Sequence, residues 1–406
     1  MATDLPWIEG GGVTTPRGYT AGGVYTGVKT YGPEPRLDLG LLVSDRPAAV
    51  AGVFTRSRIP GAPVIVSREH IADGRARALV VNSGCSNVAM GERGLQDARR
   101  MCALAAAKVG VEAGEVLVGS TGVIGRPLPM AAIEQGVAQI ELSGAGGGAF
   151  ARAMMTTDTV PKARALAAEI GGRTIHVGGA VKGSGMAHPD MATVFGFLTT
   201  DAPLAAHDLQ SMLKRIADVS LNMVDIDMDT STSDTMLLLA NGAAGGSPWS
   251  GESPEGRAVE QMLTTLAIEL ARDLARDGEG ARTLIQAVVA GARDQADARL
   301  AARTIVSSPL VKTMITGRDP NLGRVMMALG RSGAEVQVER ITLHIGDQCA
   351  FRAGVPTDVD MSTLSVAMDA PEVTIQADLG LGSATATAWG CDLTEDYVRI
   401  NADYTT

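Results

Sequence analysis

The chain has 406 residues, 45% hydrophobic and 20% charged, a globular composition long enough for two domains or one large layered body. A net charge of −10 and an aromatic content of 3% supply neither a phosphate-neutralising patch nor a stacking platform, which sets nucleic acid aside as a partner. No apolar stretch approaches bilayer length, and MATDLPWIEGGG lacks a basic-then-apolar signal pattern, so the expectation is a cytoplasmic protein with no membrane partner.

Residues 37–53 read as a strand with turn-like interruptions, and 78–82 (ALVVN) as a short buried strand ending in NSG. Three- and four-residue apolar steps predict a helix over 94–109, followed by a strand at 116–118, a turn at GSTGVIG and a helix over 129–140. ELSGAGGGAF, 141–150, is rich enough in small residues to read as a flexible connector. A helix is expected over 204–220, and period-two alternation over 222–234 suggests a strand. Its acidic side would face solvent or be hydrogen-bonded in the turn that follows. A long helix spans about 256–277, stopped at DGEG; a strand (284–289), a helix (294–307) and strands at 336–344 and 372–378 complete the chain. Mixed elements with neither βαβ spacing nor a Greek-key rhythm favour an α+β class built in layers.

Four cysteines without C-x-x-C spacing point to reduced, mostly buried thiols, and five scattered histidines give a metal site no local support. GSGMAH lacks the third glycine of a dinucleotide fingerprint, and Lys182 is followed by glycine where a P-loop has serine or threonine. The run Asp225, Asp227, Asp229 opens like a calcium loop, but its sixth position is Thr230 and its twelfth Met236, so it is not one, and its role stays open. No serine or cysteine sits in a recognisable catalytic signature. One route to a nucleophile needs no histidine: cutting the peptide bond before a threonine puts an amine and a hydroxyl on one residue. GSGMAHPDMATVFGF, 183–197, suits that chemistry, because Ala192 is small, glycines loosen the backbone and an X-Pro step precedes Thr193. Read on its pattern alone, Thr193 is the first residue of a buried strand.

The chain resembles the ornithine acetyltransferase family, the bifunctional glutamate N-acetyltransferases of arginine biosynthesis. TPRGYTAGGV (15–24), STGVIGRPLPM (120–130), MTTDTVPK (155–162), KGSGMAHPDMAT (182–193), DTSTSDT (229–235), DGEGA (277–281), DPNLGR (319–324) and the terminal CDLTEDYVRINADYTT carry the resemblance in order along nearly the whole sequence. It departs from the family pattern at Leu322, Arg282, Cys85 and Ser86, positions that bear on fine specificity.

The resemblance implies a layered α-β-β-α sandwich with a smaller C-terminal α/β part. It implies self-cleavage between Ala192 and Thr193, giving an α segment (1–192) and a β segment (193–406) that stay associated, as an α2β2 heterotetramer. Thr193 is then the nucleophile and Thr121 with Gly122 the oxyanion hole, while Thr159, Lys182, Thr193, Glu279, Asn401 and Thr406 bind substrate. The implied reaction moves acetyl from N-acetylornithine to glutamate by ping-pong transfer, with no metal and no cofactor, and acetyl-CoA is open as a second donor. A self-processing aminopeptidase or amidase, or a paralogue acetyltransferase of a specialised-metabolite pathway, would use the same machinery.

Overall fold

The computed structural model describes residues 6–29, 36–188 and 194–403, and among them the strands form two sheets. The first contains β1 (Tyr19–Val24), β2 (Leu39–Phe54), β3 (Arg75–Cys85), β4 (Val116–Val123), β5 (Lys162–Ile170), β6 (Arg173–Lys182) and β7 (Phe195–Thr200). After the two-residue β8 (Val224–Asp225) it takes its last strand, β9 (Thr235–Ala240). Its order is β4-β3-β2-β9-β7-β6-β5, with β1 paired to β2. The second sheet comprises β8, β10 (Leu284–Ala292), β11 (Thr342–Ile345), β12 (Gln348–Arg352), β13 (Val355–Pro356), β14 (Glu372–Asp378) and β15 (Ala384–Cys391). Its order is β13-β12-β11-β14-β10-β15-β8.

The first sheet folds over itself through β2. The early half of β2 pairs with β3 and its late half with β9, and the register with β3 shifts between Val43 and Ala48. The two halves then face each other. Leu42, Leu79, Val81 and Leu117 share a core with Phe195, Phe197, Leu237 and Leu239, and Phe195 and Phe197 stack with ring centroids 5.4 Å apart. Period-two alternation sends the next residues outward into helices. Leu41, Val80 and Val118 pack beneath helices α2 (Gly91–Val109) and α3 (Met130–Gln139), which follow α1 (Ala62–His70). Met236, Leu238 and Leu198 meet helices α5 (Ala206–Val219) and α6 (Pro254–Arg276), which follow α4 (Gly147–Ala153). Both faces of β7 and β9 are therefore apolar, and the layers run helix, strand, strand, helix, the α+β sandwich expected.

Helix α6 begins where Ser253 caps it, its side chain accepting from Gly256 N at 3.0 Å, with Pro254 in the first turn. Its stripe Val259, Leu263, Leu266, Leu270 and Leu274 is fully buried on β5 and β6, and the helix also touches β10 and β15. Helix α7 (Gln295–Val306) covers β10 and β15, completing the smaller C-terminal part.

Four local expectations are corrected. The glycine-rich stretch 141–150 leads into α4, whose Phe150 is fully buried. GSTGVIG is no simple turn, since β4 continues through Val123 in parallel register with β3. Residues 222–234 contribute only the two-residue β8; Asp225 there is buried instead of facing solvent, while the turn that follows does hydrogen-bond the acidic side chains, Met228 N donating to Asp225 and Asp229 N to Asp227, both at 3.2 Å. The strand expected over 336–344 is a short 3-10 turn, Val338–Arg340, followed by β11. The four cysteines are free, and Cys85, Cys102 and Cys391 are buried. Among the described residues no helix is long and apolar enough to cross a membrane.

Candidate active site

At one mouth of the folded sheet the ends of β4 and β6 meet the starts of β7 and β9. Thr121 and Gly122 pair in register with Ser83 and Gly84 of β3. Gly122 has φ +122°, and a Cβ there would lie 2.4 Å from the carbonyl carbon of Gly84, so no other residue fits. Across the sandwich Lys182 ends β6, opposite Phe195 of β7, which in turn pairs with Thr235 of β9. Lys182 is buried, and its Nζ donates to Thr121 Oγ1 and Thr156 Oγ1, both at 3.1 Å. Burial lowers its pKa below that of an ordinary lysine, against the attraction of Asp158 and Asp234.

Behind Lys182 lies a buried charge network. Asp158 accepts from Lys162 Nζ at 2.6 Å, from Gly183 N at 2.8 Å and from Thr156 N at 2.9 Å. Lys162 Nζ reaches Asp277 at 2.5 Å as well. Burial alone would push the Asp158 carboxyl up, but Lys162, Lys182 and the Gly183 amide outweigh it and hold the group well below the usual carboxylate range. On the other side Asp234 is buried with Oδ2 lacking a hydrogen-bond partner among the described residues. Burial pushes its carboxyl well above the usual range despite Ser231 and Lys182. Glu279, buried after α6, accepts from Asn401 Nδ2 at 2.6 Å, and its own amide donates to Ser184 O at 2.7 Å.

These groups enclose a cavity of about 140 Å³, room for a small molecule, lined by Thr121, Gly122, Lys182, Asp234, Glu279 and Asn401 with Val194 at its side. The strand ends, the turn after α6 and the terminal helix Glu395–Ala402 thus each deliver a side chain to one opening. A carboxylate would meet Lys182, an ammonium would meet Glu279 or Asp234, and Gly122 closes the wall beside them.

Five of the residues carried over from the resemblance come together here: Thr121, Gly122, Lys182, Glu279 and Asn401. Thr159 does not join them. It is exposed, and its backbone amide donates to Asp277 at 3.0 Å, as does its hydroxyl. Its neighbours Thr156 and Thr157 line the cavity in its place. Ala192, Thr193 and Thr406 lie outside the described residues, so the nearest described residue in the chain after Thr193 is Val194, whose carbonyl accepts from Thr235 N at 3.1 Å. Sequence reasoning assigned no role to Thr156, Asp158, Lys162 or Asp234. Their signals were present in MTTDTVPK and DTSTSDT, where Asp158 and Lys162 stand four apart.

Comparison with known proteins places this geometry in a family. An arginine biosynthesis bifunctional protein ArgJ of Dehalococcoides mccartyi is 44% identical over 406 residues, covering 100% of both chains. A solved ArgJ chain from Bacillus halodurans, 39% identical, superposes with a TM-score of 0.50 over 52% of this chain and 98% of its own. A solved ornithine acetyltransferase from Mycobacterium tuberculosis, complexed with ornithine, is 39% identical over 46% of this chain and 100% of its own, with a TM-score of 0.43. With the ArgJ family model matching residues 20–406 as well, the chain belongs to the ArgJ family.

Proposed function

We propose that this protein is a self-cleaving acetyltransferase of arginine biosynthesis that moves acetyl from N-acetylornithine to glutamate through Thr193. One observation carries the reading: residues from four distant stretches, Thr121–Gly122, Lys182, Glu279 and Asn401, converge on a cavity beside Val194 in a chain of the ArgJ family.

Self-cleavage comes first. The Thr193 hydroxyl attacks the carbonyl of Ala192, the peptide C–N bond gives way to an ester and so frees the Thr193 amine, and water then hydrolyses the ester to an Ala192 carboxylate and the Thr193 hydroxyl. The products are segments 1–192 and 193–406, associated as an α2β2 assembly in the cytoplasm. The solved relative matched over 98% of its own length by 52% of this chain agrees with a cut near the middle. In each turnover the Thr193 amine takes the hydroxyl proton and the oxygen attacks the acetyl carbonyl, while Thr121 and the Gly122 amide hold the oxyanion. Lys182 pairs with a substrate carboxylate and Glu279, braced by Asn401, with an ammonium. Ornithine leaves with the proton, glutamate enters, and its amine takes the acetyl from the ester. No cofactor takes part, and acetyl-CoA is a candidate second donor.

The test is mass spectrometry joined to kinetics. Active enzyme should resolve into two segments, the larger beginning TVFGF, and N-acetylornithine alone should add one acetyl mass to it. Initial rates should give parallel double-reciprocal lines. Acetate released equally fast with and without glutamate would make the protein a hydrolase instead.

A further inference from the structure

The aspartate run that the sequence left without a role lies against the segment leading to the cut. Five backbone polar groups of residues 184–188 are held by distant parts of the chain. Ser184 O accepts from Glu279 N at 2.7 Å, Met186 N donates to Asp227 Oδ2 at 2.5 Å, and Ala187 N donates to Asp227 Oδ1 at 2.9 Å. Ala187 O accepts from Ile226 N at 2.7 Å, and His188 O accepts from Thr230 Oγ1 at 3.1 Å. The His188 ring is gripped from both edges, with Nδ1 2.7 Å from Asp225 Oδ1 and Nε2 3.0 Å from a guanidinium nitrogen of Arg303 on α7. Asp225 is anchored in turn. Its carboxylate lies 3.3 Å from Lys312 Nζ, and that ammonium also donates to the carbonyls of Asp225 and Cys391.

Ala187 is buried in the core and Met186 and Glu279 line the cavity, but the side chains of His188, Asp225, Asp227 and Thr230 do not. Transfer chemistry has no use for them. Cleavage does, because a bond four residues beyond His188 can be attacked only if the chain entering it is fixed. We propose that the loop 225–230, with Asp225, Asp227 and His188 as positioning residues, is a clamp that presents the Ala192–Thr193 bond for self-cleavage and is dispensable for acetyl transfer once the bond is cut. Asp225 receives the Nδ1 proton of His188 and leaves Nε2 to accept from Arg303, which fixes both the ring's tautomer and its angle. Asp227, accepting two successive amides, sets the direction in which the chain leaves residue 187.

The inference rests on the self-cleavage reading, and the experiment separates the two. Full-length wild type, His188→Ala, His188→Asn, Asp227→Asn and Thr193→Ala are pulse-synthesised and followed by intact mass, then assayed for transfer per mole of segment bearing a free Thr193 amine. His188 is the cleaner probe, since Asp227 also accepts from Tyr397 on the terminal helix at 3.5 Å. His188→Ala and Asp227→Asn should cut about ten to a hundredfold more slowly, the range expected when a reacting group is misplaced. Asn at 188 keeps a donor toward Asp225 and should recover part of that loss. Per cut molecule, kcat and KM should match wild type. Unchanged cleavage rates, or a kcat per cut molecule that falls in step with cleavage, overturns the clamp. Wild type that never cuts while remaining active overturns the self-cleavage reading itself.

Discussion

Asp158, just before β5, and Asp234, just before β9, are both buried and both sit in the field of Lys182, yet their surroundings act in opposite directions. Asp158 has Lys162 in contact and the Gly183 amide aimed at it, so its charge is neutralised within the protein before any ligand arrives. Asp234 borders the cavity with one oxygen unpaired among the described residues, so ionising it costs what ionising Asp158 does not. One wall of the site is finished electrostatically and the other is not. The finished wall fixes the lysine and the two threonines; the unfinished one faces the space a substrate would occupy.

The largest effect expected from this contrast is on stability at the finished wall. Asp158→Asn leaves Lys162 buried with half its partners, and breaking such a pair typically costs about 3–5 kcal/mol, a large share of a domain's total. Chemical denaturation should show the loss directly. The sign with pH follows from the depressed carboxyl: its contribution is full above the ordinary carboxylate range near pH 4 and fades as pH falls below it. The variant should therefore lose part of the wild-type decline in melting temperature between about pH 4 and pH 2. Equal declines in both proteins would show that Asp158 is not held ionised as described.

Next in size is Gly122→Ala. The left-handed φ and the 2.4 Å approach to Gly84 force the added methyl to displace the end of β4, which we propose holds the oxyanion through Thr121 and the Gly122 amide. Turnover should fall by about two to three orders of magnitude, the usual consequence of losing an oxyanion donor. Normal kcat in a variant that still folds would remove this strand end from the chemistry.

Asp234→Asn gives a smaller and oppositely signed effect. Its carboxyl is raised, so the folded protein keeps a proton where the unfolded chain has released it. That contribution is present below the ordinary range and is lost as pH rises through the raised value. The stability of the variant relative to wild type should thus climb with pH, reaching a gain of about 1 kcal/mol by pH 8. A relative stability flat from pH 5 to pH 8 would mean that Asp234 is paired after all.

Much of this was legible in the sequence where a single period rules. β14 spans Glu372–Asp378 as its alternation predicts, and α6 follows its leucine stripe to within a residue or two of the expected ends. Glycine misled where its reason was contact. At 146 a Cβ would fall 1.7 Å from Ala21 O, so the glycines ahead of α4 mark a chain pressed against β1, whereas composition alone suggests slack. Asp225 was hidden for a related reason: alternation says which residues share a side, but only the fold reveals that β8 is covered by α7. The site residues became readable through motif order along the chain. Spacing could not bring Thr121 to Lys182, because the contact depends on the first sheet doubling over at β2.

The smallest effect concerns the rim. Asn401 reaches Glu279 from the terminal helix, which is exposed and has no buried residue of its own. Arg282, one of the departures from the family pattern, fastens that helix by ion pairs to Asp396 at 3.2 Å and Glu395 at 3.5 Å. Exposed pairs contribute little to folding and are screened by salt, so Arg282→Ala should leave the melting temperature unchanged. The pairs hold a helix whose only described duty at the cavity is Asn401. Loosening them should raise KM about two- to threefold and leave kcat alone, and the same rise should appear in wild type as salt approaches 1 M, where the screening length is about 3 Å. A variant whose KM matches wild type at low salt would show that Asn401 is seated by Glu279 alone, and that the finished and unfinished walls need no help from the rim.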